Sequence, residues 1–346
     1  MTVQAVATNK VKLGYALGGG AARGLFHIGV LNVLEEFGIV PDIIVGTSMG
    51  AIVGAMYAGG IKASEIKQIA LQVDWRQTIR LSSLPLVGLV QEKWIMSLLK
   101  SVLQDSKFSH LKIPFACVAA DLDSGKQVVL NSGSLVEAVR ASISIPGVFA
   151  PAKIGKHYLV DGGLVNVVPV SVCQDMGANF IIGVNVIPDP EICDGQKKDN
   201  SIPLFADEND LEKPIVADAS VVFRNRVHKI DSAIKTLALR PRPTLRGLVK
   251  RRPLILSAAP KLLLRDRPNV LEVVSQSINI VEYHIAMDNL KLANMVITPN
   301  RETIGLWQFH RAADVIALGE ETAREALRMD DVARIILTEN RVTAPR

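Results

Sequence analysis

DIIVGTSMGAIVGAMYAGG, residues 42–60, begins as an apolar run and ends as a helix of small residues. Asp42–Val45 reads as a short buried strand. Ser48–Ala58 has the composition of a close-packed helix, stopped at Gly59-Gly60. Between them stands Gly46-Thr47-Ser48-Met49-Gly50, a G-x-S-x-G sequence. A strand that turns this abruptly into a helix leaves its middle residue on a cramped bend, projecting above the sheet edge. Gly46 and Gly50 remove Cβ atoms that would collide there. The helix starting at Ser48 aims its N-terminal dipole at the same point. Ser48 is therefore the candidate nucleophile; the competing reading is a serine that only caps a helix.

The neighbouring segments extend the same alternation. Leu13–Leu17 is a strand, and Leu25, Ile28, Leu31 and Leu34 recur at helical spacing up to Gly38. PFACVAAD (114–121) and KQVVLN (126–131) flank LDSG, a hairpin signal. Ser134–Ile143 reads as a helix ended by Pro146, HYLVDGG (157–163) as a strand entering a glycine turn, and NFIIGVNVI (179–187) as a buried strand. Helical patterns return over 270–293 and 308–328. The fold class expected is a three-layer α/β/α sandwich around a mainly parallel sheet.

A serine nucleophile needs a base. None of the six histidines lies in a glycine-turn loop of the kind that carries a triad histidine. His27 falls on the first helix and reads as structural; His157, four residues before Asp161, is a weaker candidate base. Asp161 ends an apolar strand and is followed by Gly162-Gly163, so it can reach a neighbouring elbow and serve as general base. An ordinary aspartate is a weak base at neutral pH, so burial has to raise its pKa. An Asx turn is the competing reading of the same residues.

LGGGAARGLFHIGVL, residues 17–31, resembles a nucleotide loop, but its glycines give G-x-G-x-x-x-G, one residue too long for the dinucleotide pattern. No Lys-Ser or Lys-Thr follows it. The bare backbone of Gly18, Gly19 and Gly20 instead suits an oxyanion hole, where each donor contributes about 3–4 kcal/mol.

Together GGGAARG, GTSMG and DGG, with HIGVL, SISIPGVFAP, NVVPV and IGLWQFHRAADVIALG, resemble the patatin-like phospholipase family, close to its bacterial members. The resemblance covers about residues 10–187 and 270–328. It implies a serine lipid acyl hydrolase with a Ser48–Asp161 dyad, an oxyanion hole at Gly18, Gly19 and Gly20, and no metal or other cofactor. Arg23 matches the motif's arginine and reads as well as a brace as a substrate contact. Gly46, Gly50 and Gly162 support the two turns. Ala21 stands where many members have glycine, which is harmless only at negative φ. Val167 stands where asparagine is common. The alternative within the family is a non-catalytic member that binds a lipid or a partner through a basic insertion.

Charge is unevenly placed. The chain of 346 residues carries +5, yet Val222–Pro268 holds 13 Lys/Arg against Asp231 and Asp266, leaving the remainder acidic. Residues 188–269 read as a basic insertion, either a membrane-contacting lid or arm or a solvated loop, with 1–9 and 329–346 as terminal extensions. Arg246, Lys250, Arg251 and Arg252 are candidate contacts to an anionic membrane surface. Nucleic acid is disfavoured because only Phe223 is available for base stacking there. Three cysteines without metal spacing favour a reducing compartment. With no signal-like N-terminus and no run of about 18 apolar residues, the expectation is a cytoplasmic protein, either soluble or peripheral at the inner membrane surface. Its partner is then a phospholipid or another acyl-ester lipid. The sequence does not fix the oligomeric state.

Overall fold

The computed structural model describes residues 11–73, 92–103, 106–189, 270–299 and 304–329. Its strands are β1 (Leu13–Leu17), β2 (Ile43–Thr47), β3 (Phe115–Asp121), β4 (Gln127–Leu130), β5 (Ala152–Ile154), β6 (His157–Asp161), β7 (Phe180–Val184) and β8 (Met295–Ile297). Its helices are α1 (Phe26–Glu36), α2 (Met49–Ala58), α3 (Ala63–Gln72), α4 (Glu92–Leu103), α5 (Leu135–Ser142), α6 (Val170–Asp175), α7 (Val270–Leu290) and α8 (Ala312–Met329).

Among the described residues the strands form one sheet in which hydrogen-bonded neighbours follow the path β5-β6-β3-β2-β1-β7-β8, with β4 also on β3. Strands β3, β2, β1, β7 and β8 are parallel to one another. Alternation along each strand separates two cores. Tyr15, Leu17, Ile44 and Cys117 face one side, with Leu31 of α1, Val53 of α2, Ile66 of α3 and Ile316 of α8. Ala16, Val45, Ala116 and Val118 face the other, with Val172 of α6 and Ala286 of α7. The expected three layers follow directly from this division. On the first face α1 and α8 touch backbone to backbone: a Cβ on Gly319 would fall 2.2 Å from the Phe26 carbonyl oxygen.

The β3 register brings the functional ends together. Val118 pairs with Thr47 of β2 on one side and Val129 of β4 on the other. The next residue, Ala119, pairs with Asp161 of β6 and with Val128 of β4. Since β4 occupies one edge of β3, β2 and β6 share the opposite edge. One runs parallel to β3 and the other antiparallel, so their C-terminal ends meet head to head.

The helix expected at Ser134–Ile143 is α5, with the Ser134 hydroxyl accepting the Glu137 N–H at its start. The strand expected over 179–187 stops at Val184, because Asn185 turns the chain by accepting the Ile187 N–H on its own Oδ1. β4, β5 and β6 add antiparallel pairing to the parallel sheet. No helix among the described residues is long and apolar enough to cross a membrane. Two units divide the chain: Met1–Ala206 with Ser277–Arg346, and Asp207–Gln276. Of the second, only 270–276 are described, as the first turns of α7. The basic segment with Arg246, Lys250, Arg251 and Arg252 lies outside the described residues, as does nearly all of each terminal extension.

Candidate active site

Ser48 sits between β2 and α2 with φ 53° and ψ −120°, a conformation that L-residues rarely adopt. The glycines around it answer to space. A Cβ on Gly46 would lie 2.4 Å from the Gly50 carbonyl oxygen, and one on Gly50 would lie 2.1 Å from that of Leu17. Although Ser48 occupies the position that caps α2, its hydroxyl makes no capping bond. It donates instead to Asp161 Oδ2 at 2.6 Å.

Asp161 makes the Asx turn and meets Ser48 at the same time. One carboxylate oxygen, Oδ1, accepts the Gly163 N–H at 2.8 Å and forms the Asx turn; the other receives the Ser48 hydroxyl. Burial pushes its pKa up to about 6, against the stabilising bonds from Ser48 and Gly163. Ser48 and Asp161 are 5% and 4% exposed, so the pair meets in a largely water-free environment. Gly162 is dictated by contact, since a Cβ there would stand 2.3 Å from the Val118 carbonyl oxygen.

Ser142, at the end of α5, was not singled out by sequence reasoning and holds the elbow. Its hydroxyl donates to the Val118 carbonyl at 2.6 Å and accepts the Ser48 N–H at 3.0 Å. Two residues on, the Ser144 carbonyl accepts the Asp161 N–H at 3.0 Å. The Thr47 hydroxyl donates to the Asn166 carbonyl at 2.9 Å. Ser48 and Asp161 are thus tied into one frame through their backbones as well as their side chains.

The glycine loop lies against Ser48: a Cβ on Gly19 would be 3.4 Å from Ser48 Cβ. Its N–H groups differ from the expectation. Gly18 N–H donates to the Val184 carbonyl and Gly19 N–H to the Val167 carbonyl, each at 3.0 Å. Among the described residues, the N–H groups of Gly20 and Ala21 have no protein acceptor. The two glycine donors nearest β1 therefore hold the loop to the sheet. Ala21 also departs from its condition of tolerance, because its φ is +48°. A left-handed backbone at a residue with a Cβ costs about 1–2 kcal/mol.

His27 is structural, as expected. Burial lowers its pKa to about 4, so the neutral ring donates Nε2–H to the Gly18 carbonyl at 2.7 Å and pins the loop. Arg23 is buried and braces the turn after the loop, with Nε donating to the Ile304 carbonyl and Nη1 to Asn279 Oδ1. His157 Nδ1 meets Asp121 Oδ2 at 2.6 Å. Its ring is two-thirds exposed, and its partner Asp121 is already bound by the Ser124 N–H and hydroxyl.

With this geometry in place, sequence comparison identifies the lineage. A family model described as patatin-like phospholipase matches residues 15–173. An uncharacterised NTE family protein of Mycobacterium tuberculosis is 30% identical over 357 residues, covering 93% of this chain and 92% of that protein. The chain belongs to the patatin-like phospholipase family. The human patatin-like phospholipase domain-containing protein 6 is 36% identical to it over 179 residues, 49% of this chain but 13% of that much longer protein. A crystal structure of VipD from Legionella pneumophila aligns with a TM-score of 0.43 and 12% identity, over 92% of this chain and 67% of that one. In this patatin-like protein no group of three or more His, Cys, Asp or Glu with metal-holding geometry occurs among the described residues. Cys117 and Cys173 are buried free thiols, their pKa values raised by burial.

Proposed function

We propose that this protein is a metal-independent serine hydrolase of lipid acyl esters, of the phospholipase A or lysophospholipase type. The observation that carries the proposal is the buried 2.6 Å contact between Ser48 Oγ and an aspartate whose pKa is raised to about 6. Such a carboxylate is ionised at neutral pH yet has far more proton affinity than an exposed one.

In the first half-reaction Ser48 Oγ attacks the ester carbonyl carbon while Asp161 Oδ2 takes the hydroxyl proton. The carbonyl π pair moves onto oxygen. As that oxyanion collapses, the bond to the alcohol breaks and Asp161 returns the proton to the leaving oxygen. The acyl group is then on Ser48. Water attacks it with Asp161 again as base, releasing the fatty acid and restoring the serine. Of the three glycines expected to hold the oxyanion, Gly18 and Gly19 spend their N–H groups on Val184 and Val167, so we assign the donors to Gly20 N–H and Ala21 N–H. The substrate is a phospholipid or a related acyl-ester lipid, presented at an anionic membrane surface to the basic segment.

A fluorophosphonate probe tests the nucleophile. The parent protein should label and should hydrolyse a short-chain ester and a phospholipid, with or without EDTA. Ser48→Ala should lose labelling and at least about 10³-fold in hydrolysis. Labelling or hydrolysis that survives the substitution refutes Ser48 as nucleophile.

A further inference from the structure

A third carboxyl stands beside the dyad. Glu282 lies on α7, within the same unit as Ser48 and Asp161. A Cβ built on Gly163 would fall 2.5 Å from Glu282 Oε1 and 3.2 Å from Asp161 Oδ1. The two carboxyl groups therefore face each other across Gly163 at less than about 6 Å, close enough for one charge to govern the other's ionisation. The oxygen of Asp161 on that side is the one held by Gly163, so the side that serves Ser48 stays free for proton transfer.

Among the described residues, the charged groups that act on Glu282 are Asp161 and Arg23. Arg23 is already committed to the Ile304 carbonyl and Asn279 Oδ1. Burial, then the Asp161 charge, raise the pKa of Glu282 to about 8, with Arg23 opposing them. At neutral pH the pair accordingly shares one negative charge and one proton.

On the dyad reading above, we propose that Glu282 is a positioning residue that acts through Asp161, its ionisation strengthening the base that takes the Ser48 proton. The sign follows from where charge moves. As Ser48 attacks, the proton arrives on Asp161 and neutralises the charge nearest Glu282. The negative charge reappears on the substrate oxygen, beyond Ser48. An ionised Glu282 disfavours the starting arrangement more than the one that follows, so it lowers the barrier. Glu282 touches neither substrate nor Ser48 in this scheme.

The test is the pH profile of kcat/KM for a short-chain ester, alongside the rate of fluorophosphonate labelling, in the parent and in Glu282→Gln. The parent should rise through pH 6 and rise again across pH 8. Glu282→Gln, which matches the neutral carboxyl in shape, should keep the first rise and lose the second. The two proteins should agree within about threefold at pH 7 and differ by about tenfold at pH 9. A second measurement needs no turnover: side-chain carboxyl 13C NMR of 13C-Glu-labelled protein. Glu282 should titrate well above the other glutamates, and its midpoint should fall when Asp161→Asn removes the neighbouring charge. Superimposed pH profiles in two active proteins, or a Glu282 that titrates like an exposed glutamate, overturn the role of Glu282 and leave the dyad standing. If the parent neither labels nor hydrolyses, the dyad reading falls and takes this role with it.

Discussion

Asp161→Asn should stabilise the fold while it abolishes catalysis, and the stabilisation should depend on pH in a calculable way. The folded carboxyl titrates near 6 and an unfolded aspartate at 3.8, because burial penalises the charge by more than Ser48 and Gly163 recover. Between those values the native state binds more protons than the unfolded one. Stability therefore falls as pH rises through this window, the reverse of a salt-bridged aspartate. At about 1.4 kcal/mol per pKa unit, the full penalty is about 3 kcal/mol at pH 7 and about 1 kcal/mol at pH 4.5. Asparagine keeps both contacts, with Oδ1 accepting from Gly163 and Nδ2 donating to Ser48 Oγ, and carries no charge. Urea unfolding at the two pH values should show the variant's advantage over the parent widening by about 2 kcal/mol from pH 4.5 to 7. Ester hydrolysis should be lost throughout. An advantage that stays constant with pH, or a variant less stable at pH 7 than at pH 4.5 relative to the parent, refutes the buried charged base.

Ser142→Ala leaves the Ser48 N–H and the Val118 carbonyl without their shared partner, so it should cost about 2 kcal/mol in urea unfolding and at least about tenfold in kcat. Unchanged kcat would show that the elbow needs no such tether. His157→Ala should stay within about threefold of parental activity, because the ring's partner is Asp121; activity as low as that of Ser48→Ala would make a histidine the base. Ala21→Gly and Ala22→Gly each delete a buried methyl, but only the first relieves a left-handed alanine. The first should be near neutral and the second destabilising by about 1–2 kcal/mol, and equal losses would contradict the strain at Ala21.

The local parts of the site were readable in the sequence. Strand, glycine, serine, glycine and helix follow one another within residues 42–60, and the Asp161 turn is equally compact, so short-range sterics announce both. What could not be read are the commitments made at a distance. Gly18 and Gly19 look like free donors until Val184 and Val167 are folded beside them. Ser142 is one serine in ASISIP, with nothing in its neighbours to mark it as the tether of a residue 94 positions away. Glu282 falls in a helix among polar and apolar residues, and only packing against Gly163 makes it unusual. The short strands β5 and β8 have three residues each, too few for a period to emerge.

The meeting of β2 and β6 on one edge of β3 makes β3 a ruler. Thr47 is measured against Val118 and Asp161 against Ala119, so the strand ends that carry Ser48 and Asp161 are held one step apart along β3. Neither incoming strand can lengthen at its inner tip without displacing Ser48 or Asp161. Insertions are tolerable only at the outer ends, before Ile43 or in the turn between β5 and β6. Slipping β6 by one position against β3 would point Asp161 through the sheet, away from Ser48. Changes to the small residues of β3 would consequently mimic active-site lesions, although no atom of β3 needs to touch the substrate.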